Sequence, residues 1–209
     1  MFLDEKLLQL EREKEKKDNR EQLLQEKKEE ILKQEREQKS VVDFISEIKS
    51  GVVVIDGKEY QCEREFLLDG NVTTYIFSED VAKIIQENNV ATIFYNKLEI
   101  GANLTFFKVP AVIKNEKIFQ EQLIGQYKKD KITYYPLETG SFMSGNRKIR
   151  YATGVTTSAV GGIFIINFYS VQKGETVIGN YTCRLIKRYS FEHLFLAMLH
   201  LMFVFEEEE

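Results

Sequence analysis

Phe66-Leu67-Leu68-Asp69-Gly70-Asn71-Val72-Thr73-Thr74-Tyr75-Ile76 sets the fold of this chain. Two runs rich in apolar and β-branched residues flank Asp69-Gly70-Asn71. Side chains of the first kind suit a pleated, half-buried surface, and Asp, Gly and Asn accept turn conformations. The stretch therefore predicts a β-hairpin with strands at Glu65–Leu68 and Val72–Phe77. Just upstream, Val52–Ile55 and Lys58–Cys62 flank Asp56-Gly57, the strongest short hairpin signal. Before that, Val41, Val42, Phe44, Ile45 and Ile48 have helical spacing, and Gly51 ends that helix as a C-cap.

Downstream, Ser78-Glu79-Asp80 reads as a helix start, with Val81, Ile84 and Ile85 on one side of a short helix stopped by Asn88-Asn89. Val90–Tyr95 and Asn103–Val109 read as paired strands joined by a turn containing Gly101. Asn115 caps a helix over Glu116–Lys129 whose Phe119, Leu123 and Tyr127 form one stripe. Strands follow at Ile132–Leu137, Lys148–Thr157, Ile163–Val171 and Thr176–Ile186. Ser190 then caps a last helix, Phe191–Phe205, which is apolar on nearly every face and so belongs inside the molecule. Tight turns between strands, with helices inserted among them, predict an α+β domain over residues 51–205: an antiparallel β-sheet covered by helices.

The first 40 residues are a different material. They hold 11 Lys/Arg and 12 Asp/Glu, and Asp4 to Lys39 contains no Gly or Pro. The dominant Glu, Lys, Arg, Gln and Leu lose little rotamer freedom in a helix. Opposite charges recur at i, i+4, as in Glu13–Lys17, Lys17–Glu21 and Glu29–Lys33. Residues 1–50 are thus expected to be a long charged helix. Leu3, Leu10, Leu24 and Ile31 fall on multiples of seven, interrupted at Lys17, which allows an interrupted oligomerisation seam. The expected role is spacer, tether or weak coiled coil, with a protein partner or self-association as the two outcomes.

The net charge of −4 is concentrated at the ends: without residues 1–40 and the acidic tail Glu206–Glu209, the remainder carries +1. Neither part has the basic excess that condenses on phosphate, so no nucleic-acid footprint is expected. Met1-Phe2-Leu3 runs straight into Asp4 and Glu5, and the longest nearly apolar run, Leu194 to Phe205, is 12 residues. Neither a secretory signal nor a membrane span is expected, which points to a cytoplasmic protein.

The opening hairpin, Phe66 to Ile76, resembles that of bacterial PsbP-like proteins, whose fold is shared with the Ran-binding guanine-nucleotide release factor. The paired runs Thr92–Tyr95 and Ala102–Phe107 fit the same order, as does Val177-Ile178-Gly179-Asn180-Tyr181-Thr182-Cys183 just before the closing helix. The resemblance spans roughly residues 65–205. It implies an α/β/α sandwich and a binding or assembly module, and it brings no common catalytic residues to carry over.

The side chains themselves supply little chemistry. Gly140 and Gly145 have phosphate-loop spacing, but Asn146-Arg147 stands where Lys-Ser/Thr is needed to reach phosphate and magnesium. His193 and His200 lie seven apart on the last helix, roughly 10 Å along its axis, too far to share one metal ion. Cys62 and Cys183 read as buried thiols. No catalytic residue, cofactor or metal is therefore expected, and the first expectation is a non-enzymatic protein-interaction or assembly module. The alternative is a small-ligand-binding protein or enzyme with a cleft near residues 138–150, using Glu138, Arg147, Arg150 and Tyr151. A third reading, a chaperone or immunity-type factor of a secretion system, differs from the first only in its partner.

Overall fold

The computed structural model describes residues 39–108, 113, 115–158 and 161–203. Of the long helix expected over residues 1–50, the first 38, with Leu3, Leu10, Leu24 and Ile31, lie outside the described residues, as does the acidic tail Glu206–Glu209. The chain divides into two units, residues 1–38 and 39–209, and the second takes in the helix that the sequence groups with the charged segment.

That helix, α1 (Val41–Ser50), begins with a capping box in which Ser40 and Asp43 satisfy each other's backbone N–H groups. Gly51 closes it at φ 85°, and Phe44 and Ile48 are buried. Strands β1 (Val52–Ile55), β2 (Lys58–Leu67) and β3 (Val72–Phe77) form a three-stranded antiparallel sheet in that order. Both expected hairpins are present, sharing β2. The β1–β2 turn places Asp56 and Gly57 at φ 49° and 74°, the left-handed pair that lets a two-residue hairpin follow the strand twist.

The second sheet has seven antiparallel strands in the order β4-β5-β6-β10-β9-β8-β7: β4 (Ala82–Glu87), β5 (Val90–Tyr95), β6 (Ile100–Phe107), β7 (Tyr134–Ser144), β8 (Arg147–Ser158), β9 (Gly161–Gln172) and β10 (Glu175–Arg184). Between β6 and β7 runs α2 (Glu116–Lys129), N-capped by Asn115 as expected. After β10, a 3₁₀ turn (Leu185–Lys187) leads into α3 (Arg188–Leu201).

Three expectations are corrected. The short helix after Ser78 is strand β4. Val81 and Ala82 turn back onto the Ser78 carbonyl (2.8 and 2.9 Å), and the chain then extends and pairs with β5 from Ala82↔Tyr95 to Glu87↔Val90. Asn88 (φ 52°) turns a two-residue hairpin where a helix stop was expected. Three apolar residues are too few to distinguish period 3.6 from period 2, and strand pairing decides. The strand expected to end at Leu137 instead runs on: β7 reaches Ser144 and meets Arg147 of β8 through Gly145-Asn146, with Gly145 at φ 54°. Finally, α3 starts at Arg188 rather than at a Ser190 cap; the Ser190 hydroxyl bonds Asp56 instead (3.0 Å).

The main core lies between the sheets, where α3 is buried as expected. Phe191, Leu194, Phe195, Met198 and Leu199 are each no more than 2% exposed. Phe195 stacks on Tyr181, and Phe77 of the small sheet meets Tyr95 of the large one edge to face. On the opposite face of the large sheet, α2 packs on β7 and β8 around Phe119, Ala152 and Tyr169. Helices therefore flank both faces of an antiparallel sheet, an α+β architecture.

Candidate interaction face

Antiparallel register assigns every side chain of the large sheet to one of its two faces. On β5, burial alternates strictly: Ala91, Ile93 and Tyr95 point into the core, while Val90, Thr92 and Phe94 point the other way. Ala102, Leu104 and Phe106 of β6 likewise enter the core, leaving Gly101, Asn103, Thr105 and Phe107 on the outer face. Helix α2 sits on that same outer face, over its β7–β8–β9 end.

The strand order brings together residues from four strands on this outer face. Thr92 is opposite Asn103, Asn103 opposite Asn180, and Asn180 opposite Asn167. The Thr92 hydroxyl donates to Asn103 Oδ1 (3.0 Å), and Asn103 Nδ2 donates to Asn180 Oδ1 (3.2 Å). Further along, the Tyr127 hydroxyl of α2 donates to Asn167 Oδ1 (3.2 Å). A polar row thus runs from open sheet to the foot of α2. Asn167 is 5% exposed, while Asn103 stands in solvent.

Beside the row, the sheet surface sinks at Gly101 into an open hollow of about 710 Å³ bordered by Thr92, Phe94, Asn103, Thr182 and Arg184. Glu99 holds its rim, pairing with Arg184 (3.1 Å) and Lys187 (3.3 Å). Apolar side chains on the same face remain in water: Ile85 is 49% exposed, Phe94 44% and Phe107 41%. Amide hydrogen bonding next to exposed aromatic area is a combination that suits a protein surface better than a small ligand.

The four residues expected to line a cleft near 138–150 are not brought together. Arg147 and Tyr151 share the core-side face of β8, whereas Arg150 faces α2. Arg147 pairs with Glu175 (2.9 Å) and covers the Phe203 ring; Arg150 pairs with Glu116 (3.2 Å) over the Tyr169 ring. Tyr151 packs on Phe142 beneath Gly140, where any Cβ would meet its ring. Glu138 sits exposed at a register break, held by its backbone to the Thr153 hydroxyl (3.0 Å). Two ion pairs and three ring contacts thus occupy the Arg147, Arg150 and Tyr151 side chains in packing.

No protein-family model and no curated protein matches the chain. The likeness is to solved structures. The cyanobacterial PsbP protein (CyanoP) of Synechocystis superposes with a TM-score of 0.56 at 4% identity, over 69% of this chain and 92% of that one. The fold is PsbP-like. A Pseudomonas aeruginosa protein of unknown function matches more loosely, with a TM-score of 0.43 at 5% identity, over 71% of this chain and 99% of its own. At such identities the likeness concerns the fold alone.

Within this PsbP-like domain both cysteines and both histidines are engaged by the packing around them. Burial pushes the Cys62 thiol up to about 11 and the Cys183 thiol up to about 12, so neither supplies thiolate near neutrality. Both are free. His200 stacks flat on Phe142, and burial lowers its pKa; His193 directs Nδ1 at the Lys39 carbonyl (2.7 Å). Among the described residues, no three His, Cys, Asp or Glu side chains lie close enough to share a metal ion. No helix among them is long and apolar enough to cross a membrane.

Proposed function

We infer that the chain is a non-enzymatic protein-interaction or assembly module, and that a protein partner docks on the open half of the outer sheet face. The supporting observation is the division of that face. One half is roofed by α2, while the other leaves Phe94, Ile85 and Phe107 in water beside the Thr92–Asn103–Asn180 row. Exposed apolar area edged by polar groups marks a binding surface. The charged segment at residues 1–38 then acts as spacer, tether or dimerisation element for the domain.

A photo-crosslinking residue placed at Phe94 or Asn103 of the full chain, in its native cell, tests this. The expected result is one discrete adduct from both positions and none from Lys117, which lies on the exposed side of α2. A matching adduct set from all three positions, or none from the first two, removes the face as the docking site.

A further inference from the structure

Sheet edges present unpaired N–H and C=O groups that invite another strand, and folded proteins ordinarily blunt them. Three edges are visibly treated in that way. On β1, the Val54 N–H donates to Glu47 Oε2 (2.9 Å) and its carbonyl accepts from Lys39 Nζ (2.7 Å). These two side chains are themselves paired at 2.5 Å. On β3, the Thr73 carbonyl accepts from the Phe203 N–H (2.9 Å). On β7, the register breaks between Pro136 and Thr139, and Pro136 has no N–H to offer.

Among the described residues, the β4 edge has none of these devices. Its six residues, Ala82–Glu87, contain no Pro, Gly or bulge, and all but Ala82 are exposed. Its hydrogen-bond phase follows from its neighbours. The Phe106 N–H donates to the Asn89 carbonyl (2.9 Å), so Asn89, Ala91 and Ile93 bond toward β6. Val90, Thr92 and Phe94 then bond toward β4, to Glu87, Ile85 and Lys83. The N–H and C=O groups of Ile84 and Gln86 consequently point outward, and among the described residues they have no partner. The Gln86 side chain accepts the Leu68 N–H (2.8 Å), which steadies the strand from the core side.

We propose that β4 is a self-pairing edge through which two copies of this chain join their seven-stranded sheets about a two-fold axis at Ile85. The sequence is self-complementary in that register and in no neighbouring one. With Ile85 opposite itself, Ile84 faces Gln86 of the second copy, so the outward groups of both strands exchange main-chain hydrogen bonds. Lys83 faces Glu87 of the second copy, twice by symmetry. Centring on Ile84 or Gln86 sets Ile85 against a charge, and any register centred between residues opposes outward groups to inward ones. Lys83, Ile85 and Glu87 also share the outer face, so pairing extends that face across both copies. This rests on the assembly reading above but requires nothing from residues 1–38.

Cross-linking of the full chain carrying Ile85→Cys is the test. At the axis of such a pair the Cα atoms are about 4.5 Å apart, within disulfide reach. The natural thiols, Cys62 and Cys183, are buried. Mild oxidation is expected to give a disulfide-linked dimer, while Thr92→Cys, one strand further in, gives none. Adding Lys83→Glu should lower the linked fraction about ten-fold, since like charges then face each other at two sites, and adding Glu87→Lys as well should restore it. The proposal fails if Ile85→Cys links no better than Thr92→Cys, or if the charge reversals leave linkage unchanged. A chain that stays dimeric in light scattering while the Ile85→Cys thiol stays reduced also rejects the edge, yet leaves the assembly reading standing.

Discussion

The β7–β8–β9 half and the β4–β5–β6–β10 half of the large sheet's outer face use the same strand geometry for opposite ends. On the first, Phe119 is 3% exposed against Tyr169 at 0%, with ring centroids 4.6 Å apart, and Tyr127 stacks on Tyr134 at 4.5 Å. On the second, Phe94 and Phe107 have comparable aromatic area but no roof, and the polar row hydrogen-bonds along the surface. The difference separates stability from recognition: ring removal should cost folding free energy on the covered half and little on the open one.

The largest effect is expected from Phe119→Ala. Emptying a buried phenylalanine site costs roughly 3–5 kcal/mol, and here it also loosens the anchor of α2 on Ala152 and Tyr169. Phe94→Ala should change stability by less than about 1 kcal/mol, as exposed substitutions do, while it reduces the photo-adduct formed from Asn103. Urea unfolding of both variants measures the contrast. Equal losses would erase the distinction between the two halves.

Next comes Gly154→Ala on β8. A Cβ there would stand 2.2 Å from the Tyr134 ring, which must swing away from Tyr127 and give up its bond to the Thr153 carbonyl (3.1 Å). Overpacking of this kind costs about 1–3 kcal/mol. The added methyl group should also lower the thermal midpoint by a few degrees for a domain of this size.

A smaller and pH-dependent effect belongs to Glu116, at the first turn of α2. Its own backbone N–H, the Ser141 hydroxyl and the nearby Arg150 and Lys148 hold its carboxyl below the usual range. A lowered folded-state pKa means that folding favours the ionised form. The contribution is therefore full above the unfolded carboxyl's value of about 4.3 and is lost as pH falls through the folded value. Glu116→Gln should be less stable than the natural chain at pH 7, by under about 1 kcal/mol given partial exposure, and equally stable in strong acid. Urea midpoints of the two chains across pH 2–7 would show the curves converging on the acid side.

How much of this was legible in sequence depends on whether the cause is local. Asp56-Gly57 and Asn115 act within a few residues, so the first hairpin and the start of α2 follow from the chain alone. The polar row does not, because Thr92, Asn103, Asn180 and Asn167 become neighbours only through the order β5-β6-β10-β9. The available signal was an asparagine inside each of three apolar strands, where Asn is ordinarily depleted. Arg147, Arg150 and Tyr151 could have been separated in advance, since strand alternation places positions 147 and 151 on one face and 150 on the other. That inference requires β8 to begin at Arg147, which the tight turn at Gly145-Asn146 sets.

The smallest expected effect is also the most direct probe of the open half. At Gly101, the floor of the hollow, an added Cβ would come within 3.3 Å of the Thr182 hydroxyl and 3.6 Å of the Ile93 carbonyl, contacts that a slight hydroxyl rotation relieves. The methyl group also lowers the backbone entropy lost on folding. These two terms oppose each other, so Gly101→Ala should leave urea stability within about 0.5 kcal/mol of the natural chain. Its consequence should appear in binding, because the methyl group raises the floor between Phe94 and Asn103. A weaker adduct from Asn103 with an unchanged unfolding curve would assign the hollow to the partner. An unchanged adduct would confine docking to the apolar side chains around it.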